Sequence, residues 1–403
     1  MILTLPKYYL YFERKSKMYK IQTLNKISKK GLAVLDSNYN VADEVENPDG
    51  IILRSFKMHD MELPASLRAV ARAGAGVNNI PIDKCTEKGI VVFNTPGANA
   101  NAVKELVLSA LFLASRKIVD GIEWVKTLAG EGDAISSLVE KGKSNYAGPE
   151  IEGKTLGVVG LGAIGVKVAN AAHHLGMDVI GFDPYLSVDA AWHLTRFAHK
   201  ANSLDELLEK ADYITIHVPA TPETKGMLNS EAFAKVKKGA RVLNFSRGEL
   251  VDEADVIAAL DNGTLSCYVT DFASEALIAN ENVICMPHLG ASTPESEENC
   301  AVMASSEIKD FLENGNIKNS VNFPNCDMGK ANGARVTVLH KNVPSMLKNI
   351  TDVFSSKGVN ISNMLNKSKG DNAYTMIDID GKCDSSIVTE IEGMNDVIKV
   401  TLL

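Results

Sequence analysis

A chain of 403 residues with 45% hydrophobic content is long enough for two or three domains with buried cores. Its 42 basic and 50 acidic residues leave a net charge of −8 with no basic block, which argues against nucleic acid as a partner. The six cysteines stand singly, with neither metal-ligand spacing nor a disulfide framework, as expected in a reducing cytoplasm, and no apolar run is long enough to span a membrane.

Residues 1–17 hold lysines but no sustained apolar segment or small-residue cleavage site, so they read as a non-structural extension and not as a secretory signal. From Tyr19 onward, short apolar runs alternate with amphipathic stretches: Tyr19–Thr23, Leu32–Leu35, Gly50–Arg54, Ala69–Ala75 and Ile90–Phe93. This predicts a compact α/β domain over residues 18–101, closed by the turn-rich loop Asn94–Asn101. The apolar helix Ala102–Ser115 then opens a second domain, over residues 102–295.

The second domain is organised around Lys154–Pro184. An apolar strand, Thr155–Val159, runs into Gly160, Gly162 and Gly165; a helical pattern follows (Val166, Val168, Ala169, Ala172, Leu175), then a second strand, Val179–Phe182, ending at Asp183. Gly160 permits the tight turn, Gly162 lets a pyrophosphate approach the backbone, and Gly165 lets helix and strand pack closely. The helix N-terminus, with Ala163 and Ile164 in its first turn, offers unpaired N–H groups and a positive dipole end to phosphates. Asp183 is placed to accept hydrogen bonds from an adenosine ribose, and Pro184–Asp189 contains no arginine or lysine for a 2′-phosphate, so NAD is expected over NADP. Close strand–helix packing without a ligand is the competing account of the glycines.

Further strands are predicted at Tyr213–Val218, Arg241–Phe245, Cys267–Asp271 and Val283–Met286, separated by helices at Leu204–Ala211, Ser230–Val236 and Glu253–Asn262. That alternation implies a doubly wound parallel sheet whose ligands sit at the carboxyl ends of the strands. Three loops there carry reactive side chains. Arg247 can grip a carboxylate through two parallel hydrogen bonds while polarising a neighbouring carbonyl. His288 carries an imidazole, the side chain best suited to exchange a proton with a hydroxyl. Glu275 beside the ring would orient it and favour imidazolium. Singly these are a surface arginine, a capping histidine and a solvated glutamate; at successive strand ends of one sheet they form a catalytic set.

Several segments together resemble the D-isomer-specific 2-hydroxyacid dehydrogenase family: Arg72–Ile80, Asn94–Asn99, Gly153–Gly157, His217-Val218-Pro219 with Thr221–Thr224, and Ser246-Arg247-Gly248. The resemblance covers about residues 20–325. It implies an NAD-dependent enzyme in which Arg247 holds the substrate carboxylate, His288 is the acid–base group and Glu275 tunes it. It places Gly160, Gly162, Ala163, Ile164, Gly165, Asp183, His217, Val218 and Pro219 at the cofactor, with Thr270 or Asp271 at the nicotinamide carboxamide. Asp271 and Glu275 stand about one residue closer than is usual in the family. Ala75, Gly76 and Asn101 would meet the substrate, and the first domain would be a discontinuous, flavodoxin-like one, completed by a return over residues 296–325 and closing over the substrate.

After a polar linker at 326–333, residues 334–403 read as βαββαβ, a ferredoxin-like order. His340–Pro344 and Gly358–Ile361 resemble the ACT regulatory domain, which implies an intersubunit L-serine site carried by His340, Asn342 and Asn360, with Ser345 where glycine is usual. A dimerisation module without ligand is the alternative. Dehydrogenase body and tail together imply the branch acting on 3-phosphoglycerate in the first step of serine synthesis, as a homodimer or homotetramer. Arg54, Ser55 and Lys57 would cradle its phosphate, with Phe56 in place of a second arginine; a solvated basic turn is the competing account. A glyoxylate or hydroxypyruvate reductase and a non-catalytic NAD-sensing protein are the rival functions.

Overall fold

The computed structural model describes residues 18–381 and 383–403, so the reading of residues 1–17 lies outside the described residues. The chain divides into two compact units, one built from residues up to Ala98 together with Glu297–Leu403 and the other from Asn99–Ser296.

The first unit contains a five-stranded parallel sheet of β1 (Tyr19–Leu24), β2 (Tyr39–Ala42), β3 (Gly50–Leu53), β4 (Ala69–Arg72) and β5 (Val91–Phe93), in the order β2-β1-β3-β4-β5. Alternate residues feed two cores. Ile52, Ala71, Val91 and Phe93 join one, and Ile51, Leu53, Val70 and Val92 the other, which is why these strands read as unbroken apolar runs. The apolar run Leu32–Leu35 supplies no strand: it closes the short helix Lys29–Leu32 in a turn that buries Leu35, and the more polar Tyr39–Ala42 forms the sheet's edge.

The second unit holds seven parallel strands: β6 (Thr155–Val159), β7 (Asp178–Phe182), β8 (His199–Lys200), β9 (Tyr213–Ile216), β10 (Ala240–Asn244), β11 (Leu265–Thr270) and β12 (Val283–Cys285). Their order, β12-β11-β10-β9-β6-β7-β8, is the doubly wound Rossmann arrangement, with β6 between β7 and β9. Helices Leu204–Lys210, Glu253–Asp261 and Glu275–Ala279 each start at a side-chain cap, Ser203, Asp252 and Ser274, so the loops at the strand ends are set by local chemistry. Among the described residues, no helix is long and apolar enough to cross a membrane.

Residues 334–403 add to the first unit an antiparallel sheet of β13 (Ala334–Lys341), β14 (Ile361–Lys369), β15 (Asn372–Ile379) and β16 (Val397–Leu402), ordered β14-β15-β13-β16, with helices Met346–Ser356 and Ser385–Glu392. This is the ferredoxin-like, ACT-type topology. One face packs under its own helices through Val336, Val338, Ile350, Phe354, Ile377 and Ile391. The other face, with Leu339, Tyr374 and Met376, joins the core that holds Phe93, Phe311 and Phe323. Arg335 locks this seam. Its guanidinium is 1% exposed and donates to Asp378 Oδ1 (2.5 Å) and Oδ2 (2.9 Å), to Asn314 O (2.8 Å) and to Gly329 O (2.9 Å).

Arg335→Ala leaves Asp378 and the Asn314 and Gly329 carbonyls without their donor, and is expected to cost about 3 kcal/mol of stability in denaturant unfolding. A midpoint equal to that of the unaltered chain would show that the seam does not depend on it.

Candidate active site

The glycine turn leaves β6 at Gly160, whose φ of +89° only glycine adopts freely; a Cβ there would meet the His217 carbonyl oxygen at 2.7 Å. At Gly165 a Cβ would sit on the Gly160 carbonyl, so the helix Ala163–His174 packs directly against the turn. Gly162 is different. It is the N-cap, with φ −78°, and nothing lies within 4 Å of where its Cβ would be. The backbone there is open to an incoming group beside the first N–H groups of the helix, those of Ala163 and Ile164 included. Leu175, the last of the apolar positions read along this helix, is its exposed C-cap.

Asp183, just past β7, accepts hydrogen bonds from Leu161 N and Tyr185 N, both at 2.8 Å. This ties the acid to the glycine turn, while each carboxylate oxygen keeps lone-pair capacity for a hydroxyl donor. His217, at the end of β9, bonds through Nε2 to Thr215 Oγ1 (2.9 Å), and its buried Nδ1 has no partner among the described residues. Burial pushes its pKa down to about 3, so the ring is neutral at physiological pH. The Val218 carbonyl accepts from Ser246 Oγ at 2.7 Å, and Pro219 follows as an exposed loop residue.

The loop after β10 is built by Asn244, which is fully buried. Its Oδ1 accepts from Ser246 N (3.2 Å) and its Nδ2 donates to Arg247 O (2.9 Å), folding the chain so that Arg247 projects as an exposed side chain. Arg247 Nη1 donates to the Ser246 carbonyl at 2.6 Å, which holds the fork in place. After β11 comes Asp271, with a side chain 1% exposed and no hydrogen-bond partner for either carboxylate oxygen among the described residues. Its Oδ2 lies 3.9 Å from His288 Nδ1. Burial raises its pKa, opposed by the positive charges of His288 and Arg247, so these three residues share one electrostatic neighbourhood. The His288 ring is 62% exposed and stands edge-on to Phe272, with centroids 5.2 Å apart.

Glu275 heads the helix Glu275–Ala279 as an exposed side chain and makes no hydrogen bond or ion pair among the described residues; the carboxylate beside the ring is Asp271. The residues that fit NAD are on the same strand ends. Gly162 leaves room for a pyrophosphate, Asp183 offers acceptors for ribose hydroxyls, and the unpartnered oxygens of Asp271 suit the N–H groups of a carboxamide. Asn101, on the helix Ala100–Ser115, is engaged along its own helix with Lys104 and Glu105, both at 2.8 Å.

In the first unit, Asn25 (φ +97°) accepts from the backbone N–H groups of Arg54, Ser55 and Phe56 at 3.3, 3.1 and 2.8 Å. Asn79 Nδ2 holds the carbonyls of Arg54 and Phe56. The backbone of the turn is therefore held by two side-chain amides. Arg54 pairs with Glu297 at 2.5 Å, and Lys57 makes no ion pair among the described residues. The Ala75 carbonyl accepts from Asn94 Nδ2 at 2.5 Å, and Arg72 Nη1 lies 3.6 Å from where a Cβ on Gly76 would be.

His340 is 2% exposed, with Nδ1 bonded to Lys341 O (2.7 Å) and Nε2 to Thr375 Oγ1 (2.8 Å), and burial lowers its pKa. Asn342 donates to Gly370 O and Asn360 to Asp380 Oδ2. One chain does not bring the three together. His340 pairs with Ala373 of β15, whereas Ile361, next to Asn360, pairs with Ile379. Those two levels are six residues apart on one strand, or about 20 Å. Ser345 has φ +66°, the left-handed conformation for which glycine is the usual residue.

Sequence reasoning missed Asn25, Asn79 and Asn244, the amides that build these loops. Asn244 had a signal, a short amide at a strand end before a polar turn; Asn25 and Asn79 act on residues more than 20 positions away and left none.

Gly165→Ala is expected to cost about 3 kcal/mol through the clash with the Gly160 carbonyl. Gly162→Ala should leave the melting temperature nearly unchanged and weaken NADH binding. Equal effects of both on stability would mean that the turn does not divide the two tasks.

The family model described as D-isomer specific 2-hydroxyacid dehydrogenase, NAD binding domain, matches residues 108–290. D-3-phosphoglycerate dehydrogenase of Bacillus subtilis is 35% identical over 343 residues, covering 80% of this chain and 62% of that protein. D-3-phosphoglycerate dehydrogenase 1 of Saccharomyces cerevisiae is 32% identical over 345 residues, covering 79% and 70%. The chain thus spans less than two thirds of the length of the bacterial relative. The solved NAD+-bound 3-phosphoglycerate dehydrogenase of Entamoeba histolytica is similar with a TM-score of 0.57 and 27% identity, over 75% of this chain and 98% of that one.

Proposed function

The chain belongs to the D-isomer specific 2-hydroxyacid dehydrogenase family, and on that premise we propose that it oxidises 3-phospho-D-glycerate to 3-phosphohydroxypyruvate with NAD, the first step of L-serine synthesis. The observation that carries this reading is the grouping of Arg247 and His288 around the buried, unpartnered Asp271 at the strand ends of an NAD-type sheet. The relatives named for this reaction support the choice of substrate.

NAD, when bound, supplies the acceptor for the hydride leaving C2. Arg247 binds the substrate carboxylate and the 2-oxygen through its planar fork, fixing C2. His288 takes the hydroxyl proton as the carbon–hydrogen bond breaks, so the electrons of the O–H bond become the new carbonyl bond; in reverse it returns that proton. Asp271 orients a bound carboxamide and stabilises the imidazolium form of His288, with Glu275 as the solvent-side acid of the set. Neutral His217 accepts or donates a hydrogen bond at the cofactor without adding charge.

Arg54, Ser55 and Lys57 are proposed to take the phosphate, with Ala75, Gly76 and Asn101 also at the substrate. The Glu297 carboxylate on Arg54 is the anion that the phosphate would displace. The same ion pair supports a second reading, a glyoxylate or hydroxypyruvate reductase, in which Arg54 stays with Glu297. Exposed Phe112, Ile118, Ile122 and Val125 support a homodimer through the NAD-binding unit, with the ACT-type module extending it to a tetramer. L-Serine would bind between copies, at His340 and Asn342 of one and Asn360 of another. Six free cysteines fit a cytoplasmic location.

His288→Ala is expected to lower turnover roughly 100-fold or more while NADH affinity is kept; parallel loss of NADH binding would indicate a folding defect. In the same assay, Asp271→Asn and Glu275→Gln should both lower kcat/KM, and the larger loss identifies the acid that serves the ring. NADH oxidation should strongly favour 3-phosphohydroxypyruvate over hydroxypyruvate and be inhibited by L-serine. Equal efficiency with the two would remove the phosphate role of Arg54 and Lys57 and favour the reductase.

A further inference from the structure

Within the first unit, the end of β14 faces the segment 319–325 across an open groove of about 650 Å³, lined in part by Asn94, Asn319, Asn325, Lys367, Ser368 and Lys369. Among the described residues no acidic side chain lines it, and two ammonium groups do, in a chain whose net charge is −8. Lys369 Nζ is held by the Ser320 carbonyl at 2.9 Å, which leaves it two further N–H donors. The Lys367 ammonium makes no hydrogen bond or ion pair among the described residues. The nearby acid Asp327 is already paired with Lys318 at 2.8 Å, so it does not cancel the positive charge of the groove.

The wall opposite the lysines is rigid and connected. Asn319 (φ +56°) donates through Nδ2 to Glu307 Oε1 at 2.7 Å, and its carbonyl accepts from Asn94 N at 3.3 Å. Asn94 Nδ2 in turn donates to the Ala75 carbonyl at 2.5 Å. Glu307 is buried, its Oε2 has no partner among the described residues, and burial raises its pKa to about 8, so it offers no full negative charge against an anion near neutrality.

We propose that this groove binds a small anion bearing a phosphoryl or carboxylate group, held by Lys367 and Lys369, and that its occupancy is transmitted through Asn319 and Asn94 to the Gly74–Gly76 loop. His340, Asn342 and Asn360 do not line this groove, although Asn342 bonds to the Gly370 carbonyl beside Lys369; the groove runs between the ACT-type hairpin and the segment that follows β5. The transmitted effect rests on the reading that Ala75 and Gly76 meet the substrate; binding itself does not.

The test uses the full chain carrying Arg54→Gln and Lys57→Gln, which removes the proposed substrate-phosphate cradle. Inorganic phosphate is titrated calorimetrically at constant ionic strength, with acetate as a second arm to distinguish the two anion classes. Anion binding should remain, and adding Lys367→Gln should weaken one binding event about tenfold or more, the scale of one charge-assisted hydrogen bond. Because Lys367 is exposed and unbonded, its melting curve should be unchanged. Absence of binding by both anions, or binding indifferent to Lys367→Gln, overturns the site. In chains with the cradle intact, phosphate should alter KM for 3-phosphohydroxypyruvate by a factor that Lys367→Gln removes. Identical phosphate effects with and without Lys367 overturn the transmission. The cradle is judged separately by substrate preference, so its failure is not confused with failure of the groove.

Discussion

The architecture of the NAD-type unit depends on one close approach, that of the helix Ala163–His174 to the turn at Gly160. There is no room for a Cβ at Gly165, so the helix begins against the end of β6 and aims its unpaired N–H groups past Gly162. Asp183 bonds to Leu161 N, fastening the end of β7 to the same turn. Because β6 lies between β7 and β9, the chain leaves it in opposite directions for its two neighbours, and the crevice opens at that reversal. Later strand ends inherit their positions from this register: Asn244 pairs with Ile216 on one side and Thr270 on the other, which sets the loops carrying Arg247 and Asp271 level with the loop that starts at His217.

Two of those loops hold buried polar atoms without partners among the described residues, His217 Nδ1 and the two oxygens of Asp271. Leaving such an atom unpaired costs about 1–3 kcal/mol. The amides nearby show what the fold does when a polar group serves only structure: Asn244 is fully buried and bonded through both its oxygen and its nitrogen. The contrast on adjacent strands separates a group that builds a loop from a group left available to a ligand. It also explains how Asp271 can sit 3.9 Å from His288 without being consumed by it.

Much of this was legible in the sequence because it is local. The strand, glycine turn, helix and acid of Thr155–Asp183 are contiguous, and the period of apolar residues marks most strands in both parallel sheets. What was not legible is what depends on partners distant along the chain. Leu32–Leu35 looks as apolar as a strand, yet a turn buries Leu35 while Tyr39–Ala42 takes the sheet edge. The carboxylate beside His288 follows from the register of β11 against β12, which composition does not reveal. Residues 326–333 read as a polar linker, and their backbone carbonyls are in fact seized by Arg335 from beyond it.

Both faces of the ACT-type sheet pack within the same chain, one against its helices and one against the core around Phe311 and Phe323. The β16 edge is occupied: Lys399 Nζ donates to Leu67 O, and a Cβ on Gly89 would lie 2.7 Å from Lys399 Cβ. β14, whose residues are mostly exposed, is the edge left open. Its register gives that edge a consequence. Ser368 pairs with Ala373, and so does His340 from the other side, so the end of β14 lies level with His340. Antiparallel pairing of two β14 edges about Leu365 would set the start of one strand, next to Asn360, against the end of the other. The roughly 20 Å that separate His340 from Asn360 within one chain would then be spanned by the length of the strand itself. A site split in this way would form only where two copies meet, and a ligand bound there would be coupled to assembly.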